Sequence, residues 1–225
     1  MLNRYREVDK CKDDIEQFCL IAHEDIKYIE QKEIICIAKG MMFIKKVYAF
    51  PESSRQHYYN CLLSDILILV HTYSQKSLRV YYTTYRSLIE NFVRVFLRYK
   101  NTNGTGVRNM FKEFRELYGD ENKLFVDYLE GEYGKCCNVV HSNYKAHLTM
   151  YEYYEEIVSV DELDEKRIKT ISRQLAEFYR KCREFIITND VAQVNNAFHN
   201  QRELLKYLLG DREYTIFKKV IKLAD

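Results

Sequence analysis

Apolar residues recur along most of the chain in alternating steps of three and four, the rhythm that gathers them on one face of an α-helix. From Val8 the series runs Val8, Cys11, Ile15, Phe18, Ala22, Ile26 and Ile29 on an otherwise charged background. A second run, late in the chain, holds Ile168, Ile171, Leu175, Phe178, Cys182 and Phe185. Both seams are regular enough for helix-to-helix pairing of the coiled-coil kind, either with each other or with a partner. Between Glu33 and Phe50 the same spacing places Ile34, Ile37, Met41, Ile44 and Tyr48 on one side, although Ile34-Ile35-Cys36-Ile37 also suits a strand.

Two central segments are apolar nearly all round and so belong inside a bundle. One runs from about Arg55 to Tyr73 and includes Cys61-Leu62-Leu63 and Ile66 to Val70; the other runs from about Lys76 to Tyr99. They form the predicted core hairpin. Pro51 followed by Glu-Ser-Ser breaks the chain ahead of the first and offers N-cap chemistry. Asn101-Thr-Asn-Gly-Thr-Gly106 is the strongest loop signal. It lacks the Gly-Lys-Ser/Thr ending of a P-loop and follows a helix, so it reads as a connection rather than a phosphate cradle.

Short helices are expected over Val107 to Tyr118 and Asp120 to Tyr133, stopped by Gly119 and by Gly131 and Gly134, with another from Lys135 to His141. After the tyrosine-rich stretch at Tyr151, a long helix begins within Ser159 to Asp164. Asn189-Asp190 ends it, and Gly210 and Asp211 divide the last two helices.

The pattern thus predicts an all-α multi-helix bundle with a buried central hairpin and long amphipathic terminal helices. Residues 1–50 would supply N-terminal amphipathic helices, 51–158 the helical core, and 159–225 C-terminal helices that pack on the core or on a partner. One proline and seven glycines in 225 residues leave helices uninterrupted, which supports that class. A net charge of +2 provides no global field to recruit nucleic acid or an anionic membrane. No apolar stretch reaches the roughly 20 residues of a membrane span and no signal segment opens the chain, so a cytoplasmic location without membrane contact is expected. The cysteines are irregularly spaced, mostly inside apolar runs, and read as reduced core residues.

Candidate chemistry is sparse. Arg86 and Glu90 stand one helical turn apart at the edge of an apolar face, and a charged pair there either fixes the register of the bundle or lines a site. His141 follows an apolar pair near a predicted helix end, where an imidazole meets exposed carbonyls or faces a cleft. Arg94, Arg98, Lys100 and Arg108 surround the glycine loop and make the best nucleic-acid candidate, against the plainer role of cations at a helix C-terminus. Cys136-Cys137 with His141 and His147 is a poor tetrahedral set, because adjacent cysteines cannot splay around one ion. No metal or cofactor is expected, and no Gly-x-Ser-x-Gly nucleophile motif occurs.

Arg86-Ser87-Leu88-Ile89-Glu90 on a tyrosine-flanked helix, followed by Val140-His141-Ser142, resembles a group of bacterial helical proteins linked to abortive infection and to HEPN-type domains. The likeness covers roughly residues 55 to 145. It implies a HEPN-like helical core and a role in anti-phage defence. One form is a non-enzymatic accessory subunit that binds other subunits of a larger complex, or a second copy of itself. The other is a metal-independent ribonuclease effector in which Arg86, Glu90 and His141 divide the catalytic roles. The chain departs from that family's pattern in one respect. Ribonucleases of this kind carry an arginine and a histidine about five to seven positions apart on one helix, and none of the six histidines here has an arginine at that distance upstream.

Overall fold

The computed structural model describes residues 2–26, 28–141 and 149–224. Among these residues nine α-helices follow one another, with two short 3-10 turns and no strand beyond a single antiparallel bridge between Ser77 and Glu162. They are α1 (Leu2–Asp25), α2 (Gln31–Tyr48), α3 (Gln56–His71), α4 (Leu78–Phe96), α5 (Val107–Val140), α6 (Met150–Asp161), α7 (Glu165–Asn189), α8 (Val191–Ala197) and α9 (Arg202–Ala224). The protein is all-α, and the segment after Glu33 is helix rather than strand. Two compact units divide it: Pro51–Glu165, and Met1–Phe50 with Lys166–Asp225.

In the unit formed by the chain ends, the second amphipathic seam is buried throughout and the first nearly so. Val8, Cys11, Ile15, Ala22, Ile26 and Ile29 are inside, while Phe18 is half-buried and its neighbour Cys19 takes the inward place, with α1 packed on α2 and α9. Helix α2 meets α7 closely. The Cys36 thiol donates to the Ala176 carbonyl at 3.7 Å, and a Cβ added to Gly40 would lie 2.6 Å from Tyr179 Cβ. Arg183 of α7 donates through Nε and Nη2 to the Glu213 carboxylate of α9 at 2.7 and 3.1 Å. That pair is buried, so the bidentate geometry is what offsets the desolvation of both charges. Gly210 takes φ +75° and breaks α9 at the expected place.

In the central unit α4 packs on α3 and on the second half of α5, antiparallel to both, and contributes Tyr81, Tyr85, Leu88, Ile89, Phe92 and Val93 to the core. The expected partnership of α3 with α4 is present, and α5 covers α4 equally. Three local expectations need correction. Gly131 and Gly134 do not stop the helix, whereas the expected break beside Gly119 is present. Asn122 leaves helical geometry (φ −123°, ψ 29°), and α5 is two helices joined there and folded back so that Arg115 reaches Asp127 and Glu130. A glycine costs about 1 kcal/mol in a helix interior, less than is gained by burying Val126, Leu129 and Cys136 along the same helix. The start of α3 is not capped by the serines after Pro51. Asn101 does it across the fold, accepting from the His57 N–H at 2.9 Å while donating to the Ser53 carbonyl at 2.9 Å. Finally, α7 begins at Glu165, because Asp161 belongs to the end of α6.

Candidate active site

The start of α4 and the end of α5 are tied together beside His141. The Ser77 hydroxyl caps α4, accepting from the Val80 N–H at 3.1 Å, and donates to Asp161 at 2.6 Å. Asp161 also accepts from the Arg79 N–H at 2.6 Å. Arg79 then reaches over with Nη2 to the Val140 carbonyl at 2.6 Å, placing a cation on the carbonyls that end α5. His141 is the C-cap of that helix, with its N–H on the Cys137 carbonyl at 2.9 Å.

About two turns further along α4, Arg86 and Glu90 face the same end of α5. Arg86 Nη1 lies 3.0 Å from His141 Nε2. Its Nε donates to Glu90 Oε1 at 3.1 Å and to the Tyr133 hydroxyl at 3.0 Å, and Tyr133 itself donates to Glu90 Oε1 at 3.0 Å. The Arg86 guanidinium carbon also lies 5.3 Å from the centre of the Tyr133 ring. Arg86, Glu90 and His141, picked from two separate motifs, are therefore brought together. The side chains of Arg86 and Glu90 are 27% and 20% exposed and His141 is exposed, so the cluster sits at the protein surface and a ligand can reach it.

Charges in the cluster support one another. Burial opposes the positive charge of Arg86, but Tyr133 and Glu90 outweigh it and its pKa is raised. Burial first, and then the Glu90 carboxylate, push the Tyr133 phenol well up, so it stays protonated and remains a donor. Arginine has no acceptor, which fixes the sense of its contact with His141: Nε2 must offer a lone pair and the ring proton resides on Nδ1. An imidazole whose Nε2 electron pair faces a permanent cation is an arrangement suited to general-base and electrostatic catalysis at a phosphodiester once a substrate draws the cation away.

Of the cations suggested around the glycine loop, Arg94 is turned inward. Its guanidinium lies 5.2 Å from the centre of the Tyr58 ring, donates to the Thr105 carbonyl at 3.4 Å and stands 3.9 Å from Glu90 Oε2. Arg98, Lys100 and Arg108 are exposed. Cys136 is buried, and burial, then Glu132, push its thiol up to about 12, which makes it inert as a nucleophile. Among the described residues no group of three or more His, Cys, Asp or Glu side chains comes together as a metal site, and no helix is long and apolar enough to cross a membrane. Ser142 and His147 lie outside the described residues.

Tyr133 and Arg79 were not visible from sequence as parts of this site. Tyr133, Cys137 and His141 are spaced four apart and share a face of α5, a signal lost when the helix is broken at Gly134. Comparison of the chain with protein-family models, with curated proteins and with solved structures finds no match.

Proposed function

We propose that this protein is a metal-independent ribonuclease whose centre is Arg86, Glu90 and His141. The observation that carries this reading is the 3.0 Å contact between Arg86 Nη1 and His141 Nε2 at an accessible edge of the central unit. In that mechanism His141 Nε2 takes the proton of a ribose 2′-hydroxyl as its oxygen attacks the adjacent phosphorus. The phosphorus–O5′ bond breaks and the leaving oxygen takes a proton from water, giving a 2′,3′-cyclic phosphate and a 5′-hydroxyl, and His141 then returns its proton to the hydroxide left behind. Arg86 stabilises the charge that develops on the phosphoryl oxygens, and Glu90 keeps Arg86 in place. The resemblance to abortive-infection proteins suggests anti-phage defence as the setting.

Incubation of the purified chain with matched single-stranded RNA and DNA in the presence of EDTA tests it. RNA should be cut to cyclic-phosphate ends and DNA left intact, and His141→Gln should slow cleavage by roughly a hundredfold or more. Uncut RNA, or full activity in His141→Gln, would overturn the assignment.

A second reading, an accessory subunit of a bacterial defence complex acting through protein contacts, is supported by a different observation. Met150, Tyr151, Tyr154 and Val158 lie along one side of α6 and are all exposed, an apolar stripe of the kind that partner proteins cover. Purification from the native host separates the readings, since a chain that elutes alone and cuts RNA counts against the subunit role.

A further inference from the structure

We infer that Tyr133 is a positioning residue that sets the plane of the Arg86 guanidinium and, through it, the tautomer of His141. Three polar atoms form a closed triangle. Arg86 Nε carries one proton and shares it between Glu90 Oε1 at 3.1 Å and the Tyr133 oxygen at 3.0 Å. The Tyr133 hydroxyl proton goes to the same Glu90 oxygen at 3.0 Å. Each atom of the triangle fixes the direction of the other two, and the Tyr133 ring, 5.3 Å from the guanidinium carbon, blocks the swing away from that plane.

Only with Nε pinned in this way does the far side of the rigid guanidinium fork present Nη1 to His141 Nε2. Without the phenol, Nε keeps one partner, and the fork is free to turn about that single bond. His141 Nε2 then loses its donor, and the ring is released to carry its proton on either nitrogen. The high pKa of the phenol supports the same geometry, because a phenolate could not donate to Glu90.

The consequence for catalysis rests on the ribonuclease reading, whereas the tautomer is a property of the free protein. In the resting site the basic lone pair is held by Arg86. A phosphodiester that draws the guanidinium onto its own oxygens would free that lone pair, so the base becomes available as the substrate arrives.

Imidazole nitrogen chemical shifts, recorded above the histidine titration and assigned with His141→Gln, read the tautomer directly. The wild-type chain should show His141 protonated at Nδ1, and Tyr133→Phe should move it toward protonation at Nε2. In the same variant kcat on single-stranded RNA should fall by roughly ten- to a hundredfold while KM changes little. A Tyr133 that only packs would alter stability and leave the tautomer alone, and that result would overturn the inference. A tautomer that shifts in a chain that cuts no RNA would sink the ribonuclease reading and keep the positioning role. Should Tyr133→Phe fail to fold, Glu90→Gln carries the same test, since it weakens the acceptor common to Arg86 and Tyr133. An unchanged His141 tautomer there would equally overturn it.

Discussion

Arg86 and His141 lie 55 positions apart on different helices, yet their side chains meet at 3.0 Å. Because a guanidinium has donors only, the contact exists with a neutral imidazole and is lost when the ring takes a second proton. The pair thereby joins a permanent cation to an imidazole base.

Arg86→Lys should expose how much of the site depends on the fork. An ammonium is a point charge and cannot serve Glu90, Tyr133 and His141 in three fixed directions at once. The fold should be kept, because the substitution leaves a cation beside Glu90 at a partly exposed position. RNA cleavage should fall by roughly a hundredfold or more, read from initial rates alongside thermal melts. A lysine variant with wild-type rates would show that charge alone suffices.

A second carboxylate behind the site predicts an unusual pH dependence of stability. Asp65 Oδ2 accepts from the Ser87 hydroxyl and from the Asn91 amide, each at 2.8 Å. Its pKa is nevertheless raised above 3.8, chiefly by burial and further by Glu90, against the lowering effect of those two hydrogen bonds. The folded state therefore binds the proton more tightly than the unfolded chain does. Its contribution to stability grows as pH falls through the raised value toward 3.8 and is lost as pH rises. Asp65→Asn keeps an acceptor for both donors without the charge. It should match or exceed the wild type in melting temperature at neutral pH, with that advantage shrinking as the pH is lowered. A gap that widens on acidification would contradict the burial of Asp65.

The all-α class was legible because it rests on periodicity, which a single sequence displays for each helix separately. The seams of α1 and α7 show this, since Ile15 and Leu175 are buried as their spacing requires. Arg86 and Glu90 were legible for a related reason, a charged pair one turn apart on an otherwise apolar face. What escaped depends on long-range partners. Asn101 caps α3 from a distant loop, and no local pattern announces that. Tyr133 escaped because Gly134 reads as a stop, and only the packing of α5 against α4 shows that the helix continues. The convergence of Arg86 with His141 is of the same kind, a product of the antiparallel register of two helices.

Gly40 marks the closest approach of α2 to α7. A Cβ there would stand 2.6, 2.7 and 2.9 Å from Tyr179 Cβ, Cγ and Cδ1. Tyr179 is fully buried and its Cβ moves only with the backbone of α7, so the helices themselves must part. Overpacking of this sort costs about 1–3 kcal/mol, while the better helix propensity of alanine returns up to about 1 kcal/mol. Gly40→Ala should therefore destabilise the protein by roughly 1–2 kcal/mol, seen as a lower midpoint in urea with an unchanged slope. A more stable alanine variant would mean that α2 and α7 do not approach so closely.

Arg98 closes α4 in a conformation that arginine adopts at a cost. Its φ is +53°, and the turn is a Schellman motif, with the Tyr99 N–H donating to the Arg94 carbonyl at 3.1 Å and the Arg98 N–H to the Val95 carbonyl at 3.0 Å. Glycine suits that position because it has no Cβ to strain, whereas an L side chain there costs roughly 1–2 kcal/mol. Against this, glycine loses more backbone entropy on folding, by about 0.5–1 kcal/mol. Arg98→Gly should accordingly raise the melting temperature by a degree or two (about 0.5–1 kcal/mol). A fall instead would show that the arginine side chain contributes more than its backbone costs. The same variant tests the exposed cations beside the glycine loop. If Arg98 contacts RNA phosphate, the dependence of log affinity on log salt should become shallower by about one unit, at every RNA sequence alike. If the slope is unchanged while the protein is stabilised, Arg98 serves the helix end alone, and Lys100 and Arg108 are left as the cations to examine for RNA.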